Sequence, residues 1–247
     1  MTIIMNPFII SWKPKYAIVD FRADEKIFYT LKKFDIIPIK TIKCDDILEQ
    51  VCGHPDMVLH PIDNKTIVVA PNVFDYYENA FKGSGIKVIK GGKTLSRNYP
   101  NDIAYNVARI RNYAIHNLKY TDEILKYYLQ ESDISFIHVN QGYTKCSTAC
   151  VSNDKAITSD ITIYNTIKDL GIDCLYFNPK NVFLNGFEYG FAGGCMGSID
   201  HGTFLLTGKI QDSSEKEKLY NFVSDEGLEI LEGSDNVLTD FGTIIVI

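Results

Sequence analysis

One pattern recurs five times along the chain and limits its fold more than any other property. Short apolar strands begin near Tyr16, Met57, Ile103, Thr148 and Met196, spaced 41, 46, 45 and 48 residues apart. Each opens the same succession of strand, tight polar turn, second strand, helical stretch and third strand. The second unit reads MVLHPI, a turn at Asp63-Asn64, TIVVAP, the amphipathic NVFDYYENAF, a Gly83-Ser84-Gly85 stop and IKVIK. Asn72 is the expected N-cap of that helix, and Thr121 that of the third-unit helix TDEILKYYLQE. The first unit, YAIVDF, EKIFYTLKKF and IIPIKTI, is shortened at its hairpin.

A ββαβ unit cannot bury a face by itself, so five must pack on one another, and closing them into a ring removes exposed strand edges. Two strands precede each helix, and no G-x-G-x-x-G follows a strand, which argues against a doubly wound parallel sheet. The expected fold is an α/β, five-bladed propeller of ββαβ units in a single domain, residues 1–247. Its units lie near 14–54, 55–100, 101–146, 147–194 and 195–247.

With 45% apolar and 23% charged residues the chain is composed to bury a large core rather than to stay disordered. A net charge of -6 without a Lys/Arg stripe disfavours nucleic acid as a partner. No stretch approaches the roughly 20 apolar residues of a membrane span, and no secretion signal opens the chain, so a cytoplasmic protein is expected. The six cysteines then read as reduced thiols. Cys146 and Cys150 have no further ligands at matching spacing, so neither a metal nor another cofactor is expected.

Four segments give the chain a resemblance to a known group, the pentein or guanidine-modifying-enzyme superfamily, and within it to dimethylarginine dimethylaminohydrolases and arginine deiminases. FDIIPIKTIKCDDILEQVCGHPDMVLHPIDNKTIVVAP resembles that group's first helix-to-strand passage, with Asp56 at its acidic position. NYPNDIAYNVARI resembles the Gly-Gly-Asp before the third hairpin, with Asn101 replacing a glycine and Asp102 as the acid. QGYTKCSTACVSNDKAITS is similar to the passage carrying the catalytic histidine, whose position here is Tyr143. SDNVLTDFGTIIVI is similar to the terminal loop carrying the nucleophilic cysteine, whose position here is Asp240.

The resemblance implies a pocket at the ring axis, faced by Asp56, Asp102, Tyr143 and Asp240. Asp235 or Asn236 is an alternative inward residue in the last loop. Crowded carboxylates favour a cation, so the expected partner is a small guanidino or amino compound. The group's hydrolases need a thiolate and a histidine, and neither tyrosine nor aspartate replaces them in place. Binding without covalent Cys-His chemistry is therefore the first reading.

An amidinohydrolase or amidinotransferase with a relocated nucleophile is the second. Cys195 follows two glycines in GFAGGCMGSID, with Cys146 as the other candidate and His54 as general base. Lys145 and Arg97 are candidate clamps for a ligand carboxylate; a lysine so placed more often faces water, and Arg97 has the same alternative as a surface charge. The third reading is a non-catalytic interaction scaffold, since fold does not fix function.

Overall fold

The computed structural model describes residues 5–247. In chain order its elements are β1 (Tyr16–Val19), α1 (Glu25–Lys33), β2 (Ile37–Lys40), α2 (Pro55–Val58), β3 (Leu59–Pro61), β4 (Thr66–Val69), α3 (Phe74–Ala80) and β5 (Lys87–Lys90). There follow β6 (Ala108–Ile110), β7 (Tyr113–His116), α4 (Glu123–Glu131), β8 (Ser135–His138), α5 (Thr144–Ser147), β9 (Thr148–Cys150), β10 (Lys155–Thr158), α6 (Ile161–Asp169) and β11 (Asp173–Tyr176). The last are α7 (Ala192–Cys195), β12 (Met196–Ser198), β13 (Thr203–Leu206), α8 (Ser213–Ser224), β14 (Glu229–Glu232) and β15 (Ile244–Val246).

The strands form five three-stranded sheets: β15-β1-β2, β3-β4-β5, β6-β7-β8, β9-β10-β11 and β12-β13-β14. In every sheet the inner strand runs antiparallel to the middle one, which pairs in parallel with the third across a helix. This is the five-bladed α/β architecture that the repeat predicts. The first unit looked shortened because its inner strand lies at the other end of the sequence. Val246, Ile245 and Ile244 face Ala17, Ile18 and Val19, so both ends of the chain build one blade.

Local chemistry explains the regularity. Asp24, Asp122, Asp160 and Asp212 stand at the N-caps of α1, α4, α6 and α8, each accepting a backbone N–H with its carboxylate. Two residues before every third strand stands one with positive φ: Asp35, Gly85, Asp133, Gly171 or Gly227. That left-handed residue ends the helix and turns the chain back beside the middle strand. Three of the four residues of β1, β4 and β10, and all four of β13, are buried, whereas third strands such as β2 and β5 expose both ends.

Two caps differ from the sequence expectation. Asn72 lies within a 3₁₀ turn, Pro71–Val73, and instead pairs with Leu95 through both side-chain termini, donating to its carbonyl and accepting its N–H. Thr121 shares its hydroxyl with His116, leaving the cap to Asp122. Among the described residues no helix is long and apolar enough to cross a membrane.

Candidate functional site

Before three of the inner strands the chain makes a single helical turn: α2, α5 and α7. In the other two blades irregular passages, around Asp102–Val107 and Phe241–Thr243, lead to β6 and β15. Asn106 ties these approaches together. Its Nδ2 donates to the Asp56 carbonyl (3.1 Å) and the Cys146 Sγ (2.9 Å), while its Oδ1 accepts the N–H groups of Lys145 (2.9 Å) and Cys146 (3.1 Å).

At the β15 approach Gly242 and Thr243 both have positive φ, 66° and 70°. For a β-branched residue this is strained backbone, costing about 1–3 kcal/mol. It is held by the Thr243 N–H on the Gly194 carbonyl (2.8 Å) and by the Lys145 ammonium on the Thr243 Oγ1 (3.1 Å).

A cavity of about 340 Å³ opens over these approaches. His54, Met57, Cys146 and Asp240 line its inner part, and Tyr143, Phe187, Glu188, Tyr189 and Phe191 form a largely aromatic wall. Phe191 stacks on Tyr143 (6.4 Å, 28°) and meets Tyr189 edge-on (6.5 Å, 78°). Most of the wall comes from the 182–191 loop, which is pinned to the last turn of the chain. The Phe183 N–H donates to the Leu238 carbonyl (2.8 Å) and the Asp240 N–H to the Phe183 carbonyl (2.9 Å).

Asp240 is fixed from both sides, its Oδ2 accepting the Phe191 N–H and its Oδ1 the Gly242 N–H, each at 2.9 Å. Gly194 and Gly190 leave the room its side chain occupies. Burial pushes its carboxyl above the usual range, against the pull of His54.

His54 lies between two carboxylates, Nδ1 3.7 Å from Asp240 Oδ1 and Nε2 3.9 Å from Asp20 Oδ2, with a side chain 1% exposed. Burial holds its imidazole below the ordinary value, opposed by Asp240 and Asp20. Asp20 is in turn gripped by Arg22 through Nε (3.0 Å) and Nη2 (2.6 Å). Asp56 lies behind the cavity wall, 1% exposed and with neither carboxylate oxygen hydrogen-bonded. Its carboxyl is pushed up to about 6 by burial, against the pull of Lys145.

The structure therefore brings His54, Tyr143, Cys146 and Asp240 to one cavity, with Asp56 against Cys146. Asp102 stands one step further out, its Oδ2 accepting the Tyr143 hydroxyl at 2.7 Å, and burial raises its carboxyl. Lys145 points to the opposite end of the axis, its ammonium donating to the Thr148 and Gly193 carbonyls (3.3 and 3.1 Å) under the Phe8 ring. Arg97 is exposed on the surface and lines none of these cavities. Cys195 is fully buried in the packing of blades four and five, its thiol donating to the Ala192 carbonyl (3.2 Å). Its thiol and that of Cys146 are pushed well above the usual value, in both cases chiefly by burial.

Sequence reasoning did not find Asp20, Arg22, Asn106 or the aromatic wall. The run FLNGFEYGF, residues 183–191, carries the one available signal: four aromatic residues, three of them alternating at 187, 189 and 191, with two glycines.

Five ββαβ blades are the pentein fold, and solved structures of that fold match nearly the whole chain. The dimethylarginine dimethylaminohydrolase (DDAH) of Pseudomonas aeruginosa, complexed with citrulline, has a TM-score of 0.55 at 8% identity, covering 96% of this chain and 100% of that one. A saxitoxin-pathway amidinotransferase from Microseira wollei scores 0.56 at 12% identity, covering 92% and 91%. Agmatine deiminase of C. jejuni scores 0.55 at 10% identity, covering 93% and 89%. At such identities the likeness is one of fold. In sequence, residues 18–245 match the family of unknown function DUF6873, and the chain belongs to that family. No curated protein matches it in sequence.

Proposed function

We propose that this pentein-fold protein binds a small organic cation, a guanidino or amino compound, in the axial cavity and does so without covalent thiol chemistry. The observation that carries this reading is the cavity lining, where the buried Asp240 carboxylate faces a wall of stacked aromatic rings. A planar cation gains from both, through a charge-assisted hydrogen bond to the carboxylate and through the ring faces. One structural relative fits directly: agmatine, a guanidino cation, is the substrate named for the C. jejuni enzyme. Six free, buried cysteines suit a cytoplasmic protein. On this reading the whole chain works as one domain, because the first blade needs both ends of it.

The test is a thermal-shift titration with agmatine, arginine, methylated arginines and simple amines. A saturating cation at about 100 times its Kd is expected to stabilise the native state by about 2.7 kcal/mol, and Asp240→Asn to abolish the shift. A shift that persists in Asp240→Asn would place the cation elsewhere.

Cys146 is the one cysteine that lines the cavity, alongside His54, so in the enzymatic reading it replaces Cys195 as the candidate nucleophile. Its protonated thiol, flanked by the carboxylates of Asp56 and Asp240, argues against attack at neutral pH. Chloroacetamidine at stoichiometric concentration is accordingly expected to leave all six cysteines unmodified in the native protein. A single adduct at Cys146 by intact mass and peptide mapping would reverse the choice between the two readings.

A further inference from the structure

The cavity also has a pronounced bias in what it lacks. Among the described residues its lining contains no lysine and no arginine, and its charged side chains are Asp240 inside and the exposed Glu188 at the rim. The cations nearest to it are already committed. The Lys145 ammonium is bonded to the carbonyls of Thr148 and Gly193 and to Thr243 Oγ1. Arg22 lines an adjacent cleft that also meets Asp240, but its Nε and Nη2 hold Asp20 and its Nη1 donates to the Glu49 carbonyl (3.0 Å). His54, the remaining basic group, is kept neutral by burial.

From this we infer that the ligand is a cation without a carboxylate: an apolar body carrying one guanidinium or ammonium head, and not a free amino acid. The inference rests on the cation-binding reading above and narrows its ligand class. The head sits against Asp240. The body lies among Leu48, Val51, Met57, Leu184 and the aromatic wall, surfaces that favour burial of methylene or aryl groups and offer a charged tail no cationic donor, the Tyr189 hydroxyl being neutral. A carboxylate on that tail would lose its hydration without gaining a cationic partner and would approach Glu188, so the site selects by repulsion as well as by attraction.

The decisive comparison is a matched pair, n-butylguanidine and 4-guanidinobutyrate, identical in head and chain length and differing by the terminal carboxylate. Each is titrated into the wild-type protein by isothermal calorimetry at neutral pH. Butylguanidine is expected to bind at least about tenfold tighter, as like-charge juxtaposition and an unpaired carboxylate demand. Glu188→Gln, a change at an exposed side chain, is expected to narrow the gap by about threefold, the scale of a surface charge interaction. Equal affinities would overturn the inference while leaving the cation site standing. Heat from neither compound, with no thermal shift for any cation, would remove the cation site and this inference with it.

Discussion

Gly193→Ala is expected to lower the unfolding free energy by more than about 4 kcal/mol, a melting-temperature loss of about 10 °C or more for a chain of this size. Gly193 sits where α7 of the fifth blade crosses α5 and β9 of the fourth, and a Cβ there would overlap the carbonyl oxygens of Lys145 and Thr148. Both obstacles are backbone, and the Thr148 carbonyl also helps to hold the axis together. The Thr148 carbonyl takes the Lys145 ammonium, whose other bonds fix Thr243 and Gly193 itself. Relief therefore requires moving two blades apart at the axis and unseating a buried lysine, one of the recognised routes to a large loss. Gly92 is the control, since a Cβ there meets nothing closer than 3.4 Å and φ is ordinary. Gly92→Ala is expected to stay within about 1 kcal/mol of wild type. Urea unfolding of both variants checks the contrast, and a Gly193→Ala midpoint near wild type would mean that the blades do not pack this closely.

The repeat was legible because each blade spells out its own parts. Alternating turn residues, an apolar middle strand and a left-handed residue before the third strand are local signals, and they recur. The inner strand of the first blade was not legible there, since Ile244–Val246 lies more than 220 residues from its partner Ala17–Val19 and reads as a tail of the fifth unit. The site divides in the same way. Asp240 and His54 stand in short loops near inner strands, where the five-fold reading points, and the structure sets them 3.7 Å apart. Asp102 and Lys145 occupy equally axial sequence positions. Asp102 is buried behind the Tyr143 hydroxyl and Lys145 reaches toward Phe8, directions that the sequence pattern alone does not specify. Asn106 looks like an ordinary polar residue in sequence, and only coordinates show that all of its amide groups serve Asp56, Lys145 and Cys146.

Asp56→Asn is expected to stabilise the protein at pH 8 and weaken cation binding at the same time. In the unfolded chain this carboxyl ionises near the ordinary aspartate value of 3.8, whereas in the native protein burial lifts it to about 6. Between those two values the native state holds the proton that the unfolded state releases, so this group makes native stability fall as pH rises from about 4 to about 6. Above that window both states are ionised, and the native state retains a penalty of up to about 3 kcal/mol. Asparagine keeps the shape and removes the charge.

The variant should therefore match wild type near pH 4 and melt about 6–12 °C higher by pH 8. His54 works in the opposite direction, its depressed imidazole adding stability as pH rises toward its unfolded value, but it does so in both proteins and largely cancels in the difference. The groups facing Asp56 explain why its carboxylate is penalised: Lys145 is already bound to three oxygens, and Asp20 and Asp240 add further negative charge around the cavity. An acid held at the expense of stability, with both oxygens unbonded behind a cavity, supports the proposal that Asp56 belongs to the cation site. Melting curves of both proteins from pH 4 to 8 decide it. A variant that melts lower than wild type at pH 8 would show that Asp56 serves as the counter-ion holding Lys145 in place, and the acidic character of the site would then rest on Asp240 alone.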